Sequence, residues 1–304
     1  MPAARAAVSI YDRGFLYGDA FFETIRFYGG RPLFWDEHLR RLAASLGRFA
    51  IPWPEHDLRR AASDLLAACA LREAALRLTI TRGVGEGLVP PPGIAPTCVL
   101  VARAIPSDLA AERERGWSVV RLAFGHGRGG TTSSHKNVDY LAAVAGRMRA
   151  ARSHASEALF VEADGTVSEG TTSNVFTVRR GVVQTPPVAA GALPGITRAA
   201  VVRAARRAGI EIRESPLRAR DLDAADEIFL TGSVIEVMPV VRLDRRRVGA
   251  GTPGDVTRAV QSLYARVVAR GLERADASAP RAGKRSPRPR VCSAADPLAT
   301  PDRP

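Results

Sequence analysis

The sequence predicts a mixed α+β or α/β protein of two domains. Two observations favour this fold class. Both halves of the chain combine helical spacing with strand-like runs, and 304 residues of which 46% are hydrophobic can fill two cores. We predict an N-terminal domain at 1–108, a connector at 109–116, a C-terminal domain at 117–271 and a tail at 272–304. The tail is rich in Ala, Arg, Pro and Ser, so we expect it to be disordered.

The first domain is predicted to contain short strands followed by two helices and two further strands. Residues 8–35 read as strands and turns, with "TIRFYGGRPLFW" as two strands around a Gly-Gly turn. Leucines at helical spacing after acidic starts predict helices over 36–49 and 54–71. "AALRLTITRG" and "TCVLVARAIP" predict buried strands on either side of a Gly- and Pro-rich loop at 83–93.

The second domain is predicted to mix strands with three helices. The predicted strands are "WSVVRLAF", "EALFVEAD", "SNVFTVRRGVVQTP", "GIEIRESPL" and "ADEIFLTG". The predicted helices are "KNVDYLAAVAGRMRAAR", "GITRAAVVRAARRAG" and "DVTRAVQSLYARVVARG". Strands and helices mixed in both halves of the chain favour a two-domain α+β or α/β enzyme.

Basic residues outnumber acidic ones by 44 to 31, which gives a formal net charge of +13. Such a charge raises nucleic-acid binding as a rival class of function. The arginines, however, are scattered along predicted helices such as "RAAVVRAARRAG" and are not interleaved with aromatic residues. We therefore interpret the charge as a solvated surface and expect no nucleic-acid partner.

Other classes of protein are disfavoured by what the sequence lacks. No apolar run approaches the roughly 20 residues of a membrane-spanning helix, so we expect no membrane association. The start "MPAARAAVSI" is too weakly apolar for a secretory signal, which favours a cytoplasmic protein. The five histidines show neither an HExxH motif nor paired ligand spacing, and we expect no metal site.

Lysine is rare in this chain. Only two of the 44 basic residues are lysines, Lys136 and Lys284, and the others are arginines. Both residue types serve as solvated charges, but only lysine becomes an amine nucleophile at accessible pH. Lys136, within "TTSSHKNVDY", is therefore a candidate for Schiff-base chemistry, with a surviving surface lysine as the alternative.

Three stretches offer groups that could bind an anion, and a fourth offers a carboxylate. "LPGITR" (193–198) places a Pro-Gly turn before a helix, whose first N–H groups and dipole favour a phosphate. "TGS" (231–233) adds hydroxyls, and the arginines of "EHLRRL" (37–42) could clamp the same anion. "SEGTTSNVF" (168–176) supplies Glu169. Each stretch alone also fits an ordinary turn or a solvent-facing residue.

Taken in order, these stretches resemble the class IV aminotransferases, the pyridoxal-phosphate enzymes of fold type IV. The motifs are "YGDAFFETIR", "EHLRRL", "HKNVDYL", "SEGTTSNVF", "LPGITR" and "TGSVIEVMPV", and the resemblance covers roughly residues 8–270. The family includes branched-chain aminotransferases, D-amino-acid aminotransferases and 4-amino-4-deoxychorismate lyases. The resemblance implies the two-domain fold of the D-amino-acid aminotransferase type, with a cofactor-binding C-terminal domain. It also implies a homodimer or higher oligomer.

The resemblance also implies a cofactor, pyridoxal 5′-phosphate, and residues that bind it. Lys136 would bind the cofactor through its amine and shuttle a proton. Glu169 would pair with the pyridine nitrogen, and Tyr140 would contact the phenolic oxygen. The implied phosphate-binding residues are Arg41, Ile196, Thr197 and Ser233, and Leu193 is implied to pack against the ring.

The substrate pocket is implied to contain Tyr17, Phe22, Thr24, Arg26 and Val234. The branched-chain enzymes have glycine at the position of Thr24, whereas a threonine there resembles the lyases. The loop "VGEGLVPPPG" resembles the branched-chain enzymes and lacks the Arg-x-His of the D-amino-acid enzymes. We therefore predict transfer of an amino group between an amino acid, most simply a branched-chain one, and a 2-oxo acid. The lyase is the alternative, and a D-amino-acid aminotransferase is less favoured.

Overall fold

The structure is a computed structural model that describes residues 3–123 and 134–277. Across these residues it contains eight α-helices and two β-sheets. The helices are α1 (Arg13–Tyr17), α2 (Trp35–Arg48), α3 (Leu58–Ala68), α4 (Leu109–Arg115), α5 (Leu141–Arg152), α6 (Ile196–Arg207), α7 (Ala219–Asp223) and α8 (Asp255–Ala277). The strands are β1 (Ala20–Tyr28), β2 (Arg31–Pro32), β3 (Ala74–Thr81), β4 (Thr97–Ala104), β5 (Trp117–Ala123), β6 (Glu157–Val161), β7 (Thr166–Gly170), β8 (Asn174–Arg179), β9 (Val182–Thr185), β10 (Ile212–Glu214), β11 (Leu217–Arg218), β12 (Glu227–Gly232), β13 (Glu236–Leu243) and β14 (Arg246–Arg247).

The first part of the chain forms an antiparallel sheet in the order β2-β1-β3-β4, which we call the small sheet. Leu76, Leu78 and Ile80 of β3 are fully buried on one face, in one core with Leu42 and Leu46 of α2. Because burying each such side chain contributes about 1.5–3 kcal/mol, this core fixes which face of β3 the helices cover. The intervening residues of β3 point to the opposite face.

The same alternation along β1 decides which of its side chains face the large part of the chain. Phe21 and Ile25 belong to the core beneath α2, and Glu23 shares their face by the strand period of two. Phe22 and Thr24 therefore point the other way. A shift of one residue in register would exchange the two sets, so the buried core also fixes the orientation of the polar residues.

From residue 117 onwards, the described part of the chain builds a ten-stranded mixed sheet, which we call the large sheet. Its order is β10-β9-β8-β12-β13-β5-β6-β7-β11, with β14 beside β13. The parallel pairs are β5–β6, β5–β13 and β9–β10. Helices α6 and α8 cover a core in which Phe176 and Phe229 stack with ring centroids 4.7 Å apart. The predicted fold class, a mixed α/β protein, is confirmed.

Most predicted segments carry the expected element, but α1 lies in a region predicted to hold only strands and turns. Asp12 caps this short helix by accepting a hydrogen bond from Gly14 N, and Gly18 ends it with a left-handed φ of 67°. A single turn of helix has too few residues to show a periodic pattern, so hydrophobic periodicity could not predict it.

Two further differences concern the predicted connector and tail. The connector at 109–116 contains α4, which Leu109 anchors by its burial. Helix α8 continues to Ala277 and so includes the first six residues of the predicted tail, because residues 272–277 contain neither proline nor glycine. Residues 278–304 lie outside the described residues, and the domain boundaries stay predictions. Within the described ranges, no helix has the length and apolar character needed to cross a membrane.

Candidate active site

A cleft of about 280 Å³ is lined by residues from both the small and the large sheet. Its walls contain these predicted site residues: Phe22, Thr24, Arg41, Lys136, Tyr140, Glu169, Leu193, Ile196, Thr197, Ser233 and Val234. Motifs that are far apart in the sequence thus meet at one place, because β1 presents its second face to the ends of strands in the large sheet.

Lys136 is positioned by a short stretch of backbone pairing with β1. Its carbonyl oxygen accepts a hydrogen bond from Phe22 N at 2.9 Å, and Asn137 forms a bridge with Phe21. The Lys136 amine lies 4.5 Å from the centroid of the Phe22 ring and donates to the Tyr140 hydroxyl at 3.3 Å. This pairing places the amine in the cleft, beside two aromatic rings.

Burial lowers the pKa of the Lys136 amine from its usual 10.5 to about 8. The guanidinium of Arg41 contributes to this lowering, whereas the carboxylates of Glu23 and Glu169 oppose it. Removing a cation from water disfavours its charged form, and neighbouring charges then adjust the balance. A neutral amine, the form that acts as a nucleophile or base, is therefore accessible near pH 8.

Glu169 is held in place by two donors. One of its oxygens, Oε2, accepts a hydrogen bond from Leu193 N at 2.7 Å and another from Asn174 Nδ2 at 3.3 Å. The Asn174 amide also donates to the carbonyl oxygen of Leu193 at 3.0 Å. Asn174 thus links the carboxylate of β7 to the segment before α6, and the carboxylate has a fixed orientation in the cleft.

Arg41 is oriented by a buried carboxylate on the helix-facing side of β1. Glu23 accepts hydrogen bonds from Arg41 Nε at 2.7 Å and Arg41 Nη2 at 2.6 Å, and it contacts His38 Nδ1 at 2.7 Å. Burial alone would raise the pKa of Glu23, but His38 and Arg41 together lower it to about 2. Arg41 Nη1 donates to the carbonyl oxygen of Pro194 at 2.8 Å, which joins α2 to the turn before α6.

The donors around this turn fit a phosphate group. Helix α6 has Gly195 as its N-cap, and no side chain of the described residues caps it, so its first N–H groups can receive an anion. An added Cβ on Gly195 would overlap Asn174 Oδ1, which means that the close approach requires glycine. The hydroxyl of Thr231 lines the cleft, is only 1% exposed, and has no hydrogen-bond partner among the described residues. A phosphate would satisfy it.

Two predicted substrate residues, Tyr17 and Arg26, are not among the residues that line the cleft. The Tyr17 ring is 41% exposed, and its hydroxyl accepts a hydrogen bond from Gly87 N at 3.0 Å. Arg26 is buried beside the cleft wall, where its Nη1 donates to the carbonyl oxygen of Val234 at 3.1 Å. Arg26 therefore supports the backbone of a lining residue from behind.

The cleft also contains residues that the sequence reasoning missed. The most informative is Arg77 of β3, whose register partner on β1 is Thr24. A charged residue inside the apolar run "AALRLTIT" was the available signal, because a strand that buries one face must turn such a residue to the other. The other missed residues are Thr171, Thr172, Ser173, Asn174 and Ile235, whereas Gly195, Thr231 and Gly232 lie in the stretches that were predicted to bind an anion.

The fold and this cleft, which brings one lysine amine close to an uncapped helix start, are those of an enzyme. The chain belongs to the class IV aminotransferases, because the family's sequence profile, amino-transferase class IV, matches residues 20–243. This is a family of pyridoxal-phosphate-dependent transaminases, as the six motifs indicated.

Known proteins similar to the chain agree with this family. A putative branched-chain-amino-acid aminotransferase of Methanocaldococcus jannaschii is 36% identical over 264 residues, which cover 85% of this chain and 90% of the relative. The crystal structure of the Escherichia coli branched-chain amino acid aminotransferase superposes with a TM-score of 0.79 at 30% identity, covering 87% of this chain and 90% of that one. A hypothetical aminotransferase of Mycobacterium tuberculosis in its PLP-bound form has a TM-score of 0.77 at 27% identity, with 89% and 96% covered.

Proposed function

We propose that the protein is a pyridoxal 5′-phosphate-dependent aminotransferase that moves an amino group between a branched-chain amino acid and a 2-oxo acid. The observation that carries the proposal is the Lys136 amine, which lies in the cleft beside Tyr140 and whose pKa is lowered to about 8. The substrate class is supported by the relatives named branched-chain aminotransferases. The apolar side chains of Phe22, Val234 and Ile235 in the cleft also suit an aliphatic substrate.

The residues that would hold the cofactor occupy two sides of the cleft. Arg41, the N–H groups at the start of α6, and the hydroxyls of Thr231 and Ser233 would bind the phosphate. Glu169 would face the ring nitrogen as a fixed carboxylate. This assignment uses the orphaned hydroxyl of Thr231 and the uncapped helix start, neither of which has a partner among the described residues.

When bound, pyridoxal phosphate supplies an electron-withdrawing ring that accepts the electron pair left by breaking the substrate Cα–H bond. Lys136 Nζ takes the proton from Cα and later returns a proton, which requires the neutral amine that burial makes accessible. The Tyr140 hydroxyl, 3.3 Å from Nζ, orients that amine. Glu169 holds the proton of the ring nitrogen by its negative charge.

Arg77 is suited to a substrate carboxylate. Its guanidinium carbon lies 3.5 Å from the centroid of the Phe22 ring, and burial lowers the pKa of the half-buried group. No carboxylate of the described residues forms an ion pair with it. A substrate carboxylate would compensate this charge with charge-assisted hydrogen bonds. If that carboxylate is the second one of a dicarboxylic acceptor, Arg77→Leu should impair 2-oxoglutarate far more than 2-oxoisocaproate.

We also propose that the enzyme is a homodimer or higher homo-oligomer and that Tyr17 serves the cleft of the neighbouring subunit. Phe15 is 73% exposed, Leu88 is 83% exposed and Val89 is 85% exposed, and together with α1 they form an apolar surface. Arg13 Nη2 donates to the carbonyl oxygen of Leu88 at 3.1 Å, so α1 and this loop act as one unit. A large exposed apolar patch favours association. Sedimentation of wild type and Leu88→Asp should show a dimer and a dissociated protein, respectively.

The second candidate is an aminodeoxychorismate lyase, which the position of Thr24 favours. Thr24 lines the cleft next to Phe22, so its hydroxyl can reach a substrate. An aminodeoxychorismate lyase of Bacillus subtilis is 30% identical over 265 residues. Formation of 4-aminobenzoate and pyruvate from aminodeoxychorismate would decide for this reaction. A D-alanine aminotransferase of Bacillus licheniformis is also 32% identical over 271 residues, so D-alanine belongs in the same assay.

The deciding experiment mixes the cofactor-loaded protein with L-Val, L-Leu or L-Ile and 2-oxoglutarate and measures L-glutamate. We expect glutamate from all three, no activity from Lys136→Ala, and unchanged activity from Lys284→Ala, the matched control at the other lysine. Full turnover by Lys136→Ala would refute the role of the amine. Absence of glutamate with every branched-chain substrate would refute the substrate class. A cytoplasmic location stays a prediction.

A further inference from the structure

A buried carboxylate, Glu157, lies behind the wall of the cleft and takes no part in the chemistry proposed above. Glu157 is the first residue of β6 and is 0% exposed. Next to it runs the turn Thr171-Thr172-Ser173, which joins β7 to β8 and lines the cleft. We call residues 171–173 the threonine turn.

Glu157 accepts hydrogen bonds from six donors. Oε1 takes Ala158 N at 2.8 Å, Thr171 N at 3.3 Å and the Thr171 hydroxyl. Oε2 takes Thr172 N at 3.3 Å, the Thr172 hydroxyl at 3.1 Å and the Ser173 hydroxyl at 3.3 Å. The two turn amides and the Thr172 and Ser173 hydroxyls all lie beyond the usual hydrogen-bond distances, so the Ala158 amide and the Thr171 hydroxyl contribute most.

These donors explain why the chain tolerates a buried charge at this position. A carboxylate removed from water needs hydrogen bonds or a counter-ion. The cation nearest to it in the described residues, Arg147, has its Nη1 3.9 Å from Oε1 and is half exposed, so it compensates little. Five of the six donors belong to the threonine turn. The buried carboxylate therefore depends on this turn for its hydrogen bonds, and the same bonds hold the turn against the carboxylate.

The threonine turn lies between the cofactor-facing carboxylate and one of the two donors that fix it. Glu169 precedes it on β7, and Asn174, which donates to Glu169 Oε2 at 3.3 Å, follows it on β8. The turn is closed by Gly170 N, which donates to the carbonyl oxygen of Ser173 at 2.7 Å. A displacement of the turn would therefore carry both Glu169 and its donor with it.

Two glycines make room for the close packing of the turn. A Cβ on Gly170 would overlap Ser173 Oγ and lie 3.4 Å from the carboxyl carbon of Glu157. On the other side, a Cβ on Gly146 of α5 would lie 2.5 Å from Thr171 Cγ2. Two glycines thus give the turn the space in which the carboxylate holds it.

We propose that Glu157 is a positioning residue of the active site: it gathers the hydroxyls and amides of the threonine turn and thereby fixes the Glu169 carboxylate and the cleft wall beside it. The inference rests on the proposed function, in that Glu169 and this wall face the cofactor. It assigns to Glu157 a role in cofactor binding and spectral properties, in addition to any role in folding.

Glu157→Gln tests the proposal because glutamine cannot replace a group that only accepts. Each carboxylate oxygen receives at least one backbone N–H and one hydroxyl, so the amide of glutamine would meet an N–H donor on either side. Starting from the holoenzyme, we expect at least tenfold easier release of pyridoxal phosphate on dilution, followed by the loss of its visible absorption band. We also expect the pH midpoint of that band to shift, because Glu169 moves relative to the cofactor.

A milder pair of variants separates positioning from general stability. Thr171→Val keeps the methyl group that packs on Gly146 but removes one donor to Glu157. Thr185→Val is the matched control: Thr185 is 0% exposed, and its hydroxyl donates to the carbonyl oxygen of Val175 at 2.8 Å, away from the cleft. The melting temperatures of both variants should fall by similar amounts. Only Thr171→Val should release cofactor several-fold more readily and shift the pH midpoint.

The outcomes distinguish this inference from the proposed function. Suppose that wild type binds pyridoxal phosphate, and that Glu157→Gln and Thr171→Val keep its cofactor affinity within twofold and its pH midpoint unchanged. The positioning role is then refuted, and the proposed function stands. If Glu157→Gln does not fold, the Thr171→Val and Thr185→Val comparison decides alone. A wild-type protein that binds no pyridoxal phosphate would refute both.

Discussion

Two turns border the cleft, and they are held in different ways. The threonine turn is fixed by Glu157, which belongs to the same large sheet. The turn between β12 and β13, residues 233–235, which we call the hairpin turn, is held by groups from the small sheet and from α4. The first support is local to one domain, and the second crosses between the two parts of the chain.

The supports of the hairpin turn bind the residue that follows it, Glu236, and the backbone carbonyl of Val234. Glu236 follows the turn with a left-handed φ of 59°, an uncommon conformation for a residue other than glycine. Its carboxylate accepts the Tyr28 hydroxyl at 2.9 Å and pairs with Arg113 Nη1 at 2.5 Å. Arg26 donates to the carbonyl oxygen of Val234 at 3.1 Å.

These different supports indicate which turn can respond to the relative placement of the two sheets. Moving the small sheet would pull on Tyr28 and Arg26, and so on the hairpin turn, but would leave Glu157 and the threonine turn in place. We therefore expect changes at the threonine turn to affect the cofactor first. Changes at the hairpin turn should affect the substrate first, because Val234 and Ile235 line the cleft there.

The largest expected effect is a break of the cofactor-facing wall by Gly195→Ala. The added Cβ would overlap Asn174 Oδ1, and Asn174 would be displaced from Glu169 and Leu193. A displacement of about 1 Å at such a site costs on the order of 10²-fold in rate. Turnover and cofactor release by absorption measure the effect.

The matched control for that variant is Gly47→Ala in α2, where an added Cβ meets nothing within 4 Å. Alanine is favoured over glycine in a helix by about 1 kcal/mol, so this variant should be slightly stabilised and fully active. Equal activity of Gly195→Ala and Gly47→Ala would contradict the close approach of α6 to Asn174.

The second effect is expected at the hairpin turn, from Glu236→Asn. Asparagine tolerates the left-handed conformation, but its shorter side chain cannot reach Tyr28 and Arg113. Losing hydrogen bonds to a charged group costs about 1.5–3 kcal/mol, part of which should appear as a raised KM for the amino acid. Steady-state kinetics should show the raised KM, with cofactor release within twofold of wild type.

Arg180→Asn is the control for Glu236→Asn, because Arg180 also has a left-handed φ of 50° but lies on the turn between β8 and β9. We expect its KM to match that of wild type. A cofactor defect in Glu236→Asn as large as its substrate defect would erase the contrast between the two turns.

The third effect sharpens the contrast through the pKa of Lys136. The carboxylate of Glu169 raises this pKa, so Glu169→Gln should lower it below about 8, whereas Ser233→Ala at the hairpin turn should leave it unchanged. Deprotonation would then begin at lower pH in Glu169→Gln. Reductive methylation of the cofactor-free protein across pH, followed by mass spectrometry, measures the reactivity of Lys136, with Lys284 as the internal reference. A midpoint that rises in Glu169→Gln would contradict the assigned sign.

Sequence reasoning succeeded where a motif carries its own chemistry. Lys136, Glu169 and the start of α6 were placed together by the resemblance of their motifs to the family, and the structure brings them to one cleft. The helices α2 and α3 were predicted from periodic leucines, which is a local signal.

The residues that sequence reasoning missed depend on contacts between distant segments. Glu157 and the threonine turn are 14 to 16 residues apart, and nothing in "SEALF" shows that its carboxylate will be buried beneath a turn. Arg26 was assigned to the substrate pocket by the resemblance to the family. The sheet instead places Phe22 in the cleft and Arg26 behind the hairpin turn.

The smallest expected effect is that of Tyr28→Phe, which removes one hydroxyl from the support of the hairpin turn. Burial and then the charge of Glu236 strongly raise the pKa of Tyr28, so the hydroxyl stays a neutral donor throughout the working pH range. Its loss should cost about 1 kcal/mol, and KM for the amino acid should rise less than in Glu236→Asn. Cofactor release should not change.

A double-mutant cycle with Glu236→Asn shows whether Tyr28 acts through Glu236. If it does, the double variant should raise KM little more than Glu236→Asn alone, because both changes remove the same hydrogen bond. Additive effects would instead mean that the Tyr28 hydroxyl supports the cleft independently of Glu236, because phenylalanine keeps the ring over which the Arg26 guanidinium carbon lies 4.6 Å from the centroid.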